Sequence, residues 1–385
     1  MPRPQSGSAA RVTSVVMADR DGVKKSSAPV TTLTIVGLAS SMLNGLARVP
    51  FQRPWKGPAG VVDNVGQAVT RQAIRSFMGY SMGLPIDEFR SMEKVLDDLC
   101  RVVIPPFVQI TDGVEITEDT IGGVHGIWCR AKASSDRFVE ADDDKQTIGA
   151  TLLYLHGGGY IGASPMMYAA FAAALVKTTG YEIFLPDYRL APEFPFPAGV
   201  LDATAVYQGL LSRGVEPGHI VVAGDSGGGG LTTSLLYHLH QEAIPSPAAV
   251  ALFSPELELG LNYPSMTENA PFDILPWNVP VAPYLHGVQP DDARVSVAHA
   301  ELDPQWFPPT FVCWGEKEIF RDAIADFATR LQSAGIPVHA IEEPGMFHVF
   351  PILMPWGDPA KRVLRTLADL AERYVRADAT AEQTH

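Results

Sequence analysis

The sequence predicts an α/β fold: a mainly parallel central sheet with helices on both faces and a helical cap. Three observations predict it. Short, continuously apolar runs alternate with helix-like segments from residue 150 onward. Two glycine clusters sit where a strand run passes into a helix run. One gap breaks the rhythm, between residues 257 and 305, and helix-like text precedes the first strand before residue 107; cap segments are expected in both places. Strands buried on both faces read as unbroken apolar runs, unlike half-exposed strands, which alternate.

Residues 1–50 are rich in Ser, Ala and Thr with weak periodicity, and are read as a poorly structured extension. Within them, "PVTTLTIVGLASSMLNGLA" (29–47) is moderately apolar and follows Lys24-Lys25. Its Thr, Ser and Asn residues and the lack of an A-x-A cleavage site argue against a signal or spanning helix. A cytoplasmic protein is therefore expected, with membrane association or export through residues 29–47 as the alternative. Residues 51–106 are expected to form the N-terminal part of the cap. There Phe89, Met92, Leu96, Leu99 and Val103 recur at spacings of three and four, which marks one apolar helical face. Pro105-Pro106 is expected to end that helix.

Residues 107–256 and 306–385 carry the α/β domain. It opens with two short strand-like runs, "GVEITEDTIGG" and "HGIWCRAK". A charged loop, 136–146, follows and receives no function. "ATLLYL", "EIFLPDY", "HIVVAG", "AAVALFS", "TFVCWG" and "VHAIEE" then read as strands, separated by helical runs such as "YAAFAAALVKTTG" and "LTTSLLYHLHQEA". The stretch 257–305 is far longer than an ordinary connection and is read as a cap insert.

With 46% hydrophobic and 19% charged residues the chain can build a sizeable core. The net charge of −14 argues against an extended nucleic-acid surface, which needs concentrated Lys and Arg. Cys100, Cys129 and Cys313 are few, odd in number and far apart, so neither a disulfide framework nor a metal site is expected.

The glycine cluster "VAGDSGGGGLT" (222–232) tests two chemistries. A phosphate-binding loop needs Gly-x4-Gly-Lys-Ser/Thr, and Gly230 stands where the lysine belongs. No frame gives Gly-x-Gly-x-x-Gly. The pattern that fits is Gly-x-Ser-x-Gly, Gly224 to Gly228, with Ser226 at its centre. A serine on a tight strand-to-helix turn is held with Oγ exposed above the sheet, as a nucleophile must be. Asp225 is read as a residue that stabilises the turn.

A second cluster, His156-Gly157-Gly158-Gly159-Tyr160, also follows a strand. Acyl transfer develops an oxyanion that pre-placed N–H donors must meet. The expected donors are the N–H groups of Gly158, Gly159 and Gly227. His156 precedes the nucleophile, against the Ser–acid–His order of this arrangement, and is read as structural. Of the seven histidines after Ser226, His348 lies on a Gly-containing loop behind a strand and is the expected general base. The acid belongs at the end of the preceding strand, where spacing leaves Glu316, Glu318 and Asp322 open.

Together these residues resemble the hormone-sensitive-lipase-like (bacterial family IV) esterases of the α/β-hydrolase superfamily. "HGGGY", "DYRLAPEFPFPA", "GDSGGGG", "SPELEL", "PPTFVCWG" and "FHVF" match that family's landmarks in order, over about residues 85–375. The resemblance implies that Glu318 replaces the family's usual aspartate, with Asp322 the runner-up. It implies that Arg189 and Glu193 form a buried structural pair. It implies a cofactor-independent serine hydrolase of short- to medium-chain carboxylic esters, whose partner is a small-molecule ester and whose chain is open to homodimerisation. An amidase or peptidase on the same triad, and a non-catalytic ligand-binding protein of this fold, are the rival readings.

Overall fold

The computed structural model describes residues 24–57, 59–132, 150–276 and 279–381. The charged loop 136–146 and Trp277 of the insert lie outside them. Eight strands form one sheet: β1 (Val114–Ile121), β2 (Val124–Ala131), β3 (Thr151–Leu155), β4 (Glu182–Pro186), β5 (Ile220–Asp225), β6 (Ala249–Phe253), β7 (Thr310–Gly315) and β8 (Val338–Glu343). Their spatial order is β1-β2-β4-β3-β5-β6-β7-β8. The two glycine-separated runs make an antiparallel hairpin, and β2 also pairs antiparallel with β4. Every later pairing is parallel, as the strand–helix alternation predicts.

The helices are α1 (Ala28–Leu46), α2 (Val61–Ser81), α3 (Ile86–Asp112), α4 (Pro165–Thr179), α5 (Ala198–Ser212), α6 (Ser226–Gln241), α7 (Ser265–Glu268), α8 (Ala282–Leu285), α9 (Arg321–Ser333), α10 (Phe350–Leu353) and α11 (Asp358–Ala381). Two cores result, one on each sheet face. Leu152 and Tyr154 of β3 join Val221 and Ala223 of β5 in one. Leu153 and Leu155 join Ile220 and Val222 in the other. Local sequence fixes the ends of α4. Ser164 accepts from the Met167 N–H at its start, and Gly180 turns left-handed at its end with φ 73°.

The N-terminal segment departs from expectation in three ways. Residues 28–46, read as poorly structured, form α1. It is held by Thr34 Oγ1 donating to Glu88 Oε2 (3.0 Å) and Tyr80 Oη donating to the Thr34 carbonyl (3.0 Å). Packing on α2 and α3 therefore overrides weak periodicity. Helix α3 runs through Pro105-Pro106 to a left-handed cap at Gly113 (φ 65°). The two missing N–H donors fall opposite Arg101 and Val102, both exposed, so solvent can take their place. Finally, the apolar face predicted for α3 is only partly used. Met92 is fully buried, but Leu99 and Val103 are 57% and 52% exposed. Arg90 and Glu93 are buried there instead, as an ion pair at 2.9 Å.

The insert 257–305 is not a separable flap. Leu257, Met266, Ile274 and Leu275 join one core, and Leu259, Tyr284 and Leu285 the other. Helix α2 ties it down. Arg71 Nη1 donates to the Phe272 carbonyl (2.9 Å), and Arg75 Nη1 to those of Ala270 (2.8 Å) and Asp273.

Candidate active site

Strand β5 ends at Asp225 and α6 begins at Ser226, with no loop between them. The turn is made by Ser226 itself, at φ 52° in the left-handed region. A non-glycine residue there costs about 1–3 kcal/mol, and the surroundings must hold it. The four following glycines do so by letting backbone approach from several sides. A Cβ at Gly228 would sit 2.1 Å from the Leu155 carbonyl oxygen and 2.3 Å from that of His156. One at Gly229 would meet Pro255 at 2.7 Å, and one at Gly230 the Tyr160 hydroxyl at 2.2 Å. The four-glycine run is thus a packing requirement. Gly228→Ala is expected to lower the melting temperature by the equivalent of at least the ~1–3 kcal/mol of ordinary overpacking. Gly79→Ala, in α2 with open space around it, is expected to stabilise by up to ~1 kcal/mol. Thermal unfolding of the two variants against the parent checks both.

The other glycine cluster lies against this turn. Gly158 and Gly159 both have positive φ, 117° and 60°. A Cβ at Gly227 would lie 3.1 Å from the Gly159 nitrogen. Gly227 is in the first turn of α6, where N–H groups have no intrahelical acceptor. Asp225 joins the two clusters. Its buried carboxylate accepts from the Gly157 N–H, the Tyr154 hydroxyl and the Tyr168 hydroxyl, each at 2.9 Å. Burial pushes its pKa up to about 6 against those three donors. His156 stacks on Tyr188 at 4.5 Å, and its Nδ1 lies 2.8 Å from the Gly157 oxygen.

The loop after β8 brings His348 to the turn. Its Nε2 lies 2.9 Å from Ser226 Oγ. On its other side, Nδ1 is 3.8 Å from Glu318 Oε1, an ion-pair distance too long for a hydrogen bond. Neither atom has a hydrogen-bond partner among the described residues. Glu318 is fixed through its second oxygen, which accepts from Ser254 Oγ (2.6 Å) and the Gly315 N–H (2.9 Å). Burial alone would lower the His348 pKa. Glu318 beside it, with Asp273 and Asp225 further off, outweighs that and raises it above the usual histidine value.

The other acid candidates are engaged elsewhere. Asp322 accepts from the Ser265 N–H (2.9 Å) and from Arg321 Nε (2.8 Å). Glu316 accepts from the Gly345 N–H (2.8 Å) and pairs with Lys317.

Arg189 and Glu193 do not form the pair that the resemblance implied. Arg189 binds Asp202 of α5 at 2.7 Å, and Glu193 binds Arg90 of α3 at 2.8 Å. Asp202 presents both oxygens to the Arg189 guanidinium and one also to its backbone N–H. Arg90 also donates to the carbonyls of Ile161 (2.5 Å) and Ala191 (2.7 Å), which pins the glycine loop to α3.

Sequence reasoning missed three buried groups here. Asp273 of the insert accepts from the backbone N–H groups of His348 (2.9 Å), Ile319 (2.8 Å) and Ile274 (2.7 Å), so one carboxylate holds both the His348 and Glu318 loops. Burial pushes it up to about 6. Arg90 and Glu256 are the others. An aspartate in a loop-rich insert, or an arginine on an amphipathic helix, carries no local signal. Glu256, beside the elbow in "SPELEL", was visible only as a landmark.

A family model described as alpha/beta hydrolase fold matches residues 152–352. An esterase of Acinetobacter venetianus is 32% identical over 286 residues, 73% of this chain and 88% of that protein. An acetyl-hydrolase of Streptomyces hygroscopicus is 35% identical over 238 residues, 61% of this chain and 77% of that protein. A crystal structure of an esterase from the bacterial hormone-sensitive lipase family superposes with a TM-score of 0.67 at 25% identity, covering 80% of this chain and 98% of that one.

Proposed function

The chain belongs to the hormone-sensitive-lipase-like esterases of the alpha/beta hydrolase fold and is a carboxylic ester hydrolase, and from that premise we propose a serine mechanism through an acyl-enzyme. The 2.9 Å contact between Ser226 Oγ and His348 Nε2, on a turn with no loop, carries the reading. Ser226 Oγ attacks the ester carbonyl carbon while His348 takes its proton. The N–H groups of Gly158, Gly159 and Gly227 stabilise the oxyanion. The tetrahedral intermediate collapses, the C–O bond to the alcohol breaks, and His348 returns its proton to the leaving oxygen. Water then attacks the acyl-enzyme, giving its proton to His348, and the carboxylic acid leaves as Ser226 is reprotonated. Glu318 orients the imidazole and stabilises it when charged. No cofactor or metal takes part. Helices α1–α3 and the insert 257–305 form the cap over the site, and short- to medium-chain acyl esters are the substrates.

An organophosphonate is expected to add once, on the peptide containing Ser226, with loss of activity. An active enzyme that resists the reagent would overturn the reading. The pH profile supplies a second test. His348 works as a base only when neutral, so kcat/KM should rise with pH, with its midpoint above 6.5 because the histidine is raised. Glu318, Asp273, Asp225 and Glu256 all lie close enough to act on that charge. A profile flat down to pH 5 contradicts His348 as base.

Location divides on α1. Its docking on α2 and α3 supports a cytoplasmic enzyme. Its exposed Leu33, Val36 and Leu43, on a helix long and apolar enough to cross a membrane, support membrane association. Cell fractionation of the full chain separates the two.

A further inference from the structure

Glu256 is a buried acid that the mechanism leaves unused. It is 1% exposed, and both carboxylate oxygens lack a hydrogen-bond partner among the described residues. It stands beside the nucleophile: its backbone N–H donates to the Ser226 carbonyl at 2.9 Å. Its own carbonyl accepts from the Tyr160 hydroxyl at 3.4 Å. Tyr160 follows the candidate oxyanion glycines, and its ring stacks on Tyr284 of α8 at 3.9 Å and 11°. The Tyr284 hydroxyl is also buried and without a partner. The Glu256 charge acts on both phenols and on His348. Three elements thus converge beside Ser226: the glycine loop, the end of β6 and the insert. They bury a carboxyl and a hydroxyl that have no hydrogen-bond partner among the described residues. The fourth glycine of the run belongs to this arrangement, since a Cβ at Gly230 would strike the Tyr160 hydroxyl and the Glu256 carbonyl.

Buried polar groups are nearly always hydrogen-bonded, and one left open beside a nucleophile is where a ligand supplies the missing bond. Building on the serine-esterase reading, we propose that Glu256 and the Tyr284 hydroxyl form a polar subsite that binds a hydroxyl group of the ester substrate. Burial pushes the Glu256 carboxyl up to about 7, so both of its forms are populated near neutrality. A substrate hydroxyl suits either form, because it donates to a carboxylate and accepts from a carboxylic acid or from the Tyr284 hydroxyl. An alkyl group in the same place leaves both protein groups unpaired. An ammonium suits only the ionised form.

The test compares matched esters in which a methyl replaces the hydroxyl. In the acyl arm, p-nitrophenyl 3-hydroxybutanoate is set against p-nitrophenyl 3-methylbutanoate. In the alcohol arm, 3-hydroxypropyl butanoate is set against butyl butanoate. The quantity read is the hydroxyl-to-alkyl ratio of kcat/KM within one enzyme, which cancels losses common to both substrates. The native enzyme is expected to prefer the hydroxylated ester by at least about tenfold in one arm, and that arm shows on which side of the ester the hydroxyl lies. Glu256→Leu should invert the preference and raise the melting temperature, because an unpaired buried carboxyl is gone. Glu256→Gln and Tyr284→Phe should each reduce it, and they serve if the leucine variant does not fold. Alkyl preference in both arms, an unchanged ratio in Glu256→Leu, or a 3-aminobutanoate preferred over the hydroxy ester overturns the proposal. Phosphonate labelling separates the two readings. Native enzyme that labels on Ser226 but shows no hydroxyl preference loses the subsite alone, whereas failure to label removes the serine mechanism itself.

Discussion

Replacing Ser226 with alanine is expected to lower kcat for ester hydrolysis by about four to six orders of magnitude, the scale of losses when a catalytic serine is removed. The expectation rests on what the side chain does and does not touch. Its Oγ bonds His348 Nε2 and sits at the one strained residue joining β5 to α6. Removing the oxygen takes away the proposed nucleophile and leaves the His348 loop held by its backbone bonds to Asp273 and Ser254. KM and the melting temperature should therefore change little. Alanine inherits the left-handed φ, so it keeps the strain. Ser226→Gly relieves it and should be the more stable of the two inactive variants. On the proposed mechanism Ser226 and His348 act as one unit, so His348→Ala should cost about as much as Ser226→Ala, and the double variant no more than either. Additive losses would mean that the two residues do not share a step. The measurement is kcat and KM on p-nitrophenyl butanoate, with thermal unfolding of each variant.

How much of this was legible beforehand follows from the range of each interaction. Ser226 and the glycines around it announce themselves because backbone geometry restricts a short window: a turn without a loop tolerates few sequences. His348 was legible by chain order, and the parallel strands by their unbroken apolar runs. Groups whose partners are distant in sequence were not legible. Asp273 meets His348 across 75 residues, and Arg90 meets Glu193 across 103. The Arg189–Glu193 pair that the resemblance implied failed for that reason, since a remote helix takes Glu193 and α5 takes Arg189. Helix α1 was missed because its order comes from α2 and α3 rather than from its own periodicity. The use of α3 was misread because Arg90 pairs with Glu93 on its own helix and with the distant Glu193, which turns both residues inward.

Glu318→Ala is expected to reduce kcat by about three to four orders of magnitude, and Asp322→Ala by less than about tenfold. The first carboxylate faces His348 Nδ1; the second is spent on the Ser265 N–H and Arg321. Turnover alone does not make Glu318 the orienting acid. Alanine there also strips partners from Ser254 Oγ and the Gly315 N–H, and a loosened loop lowers turnover too. The pH profile discriminates. Glu318 is the strongest of the influences raising the His348 pKa, and burial opposes it. In Glu318→Gln, which keeps the volume and can still accept those two bonds, the histidine should lose its proton at lower pH. The midpoint of kcat/KM should then move toward acid while turnover stays depressed. Asp322→Ala should leave the midpoint where it is and show its loss in the melting temperature, since it removes the bond from the Ser265 N–H at the start of α7 to α9. A glutamine variant with the parent's midpoint makes Glu318 a loop anchor only. Glu318→Asp sharpens the test: with the 3.8 Å gap already longer than a hydrogen bond, a shorter side chain should restore the charge near His348 more fully than the turnover, separating the carboxylate's electrostatic effect from its orienting one.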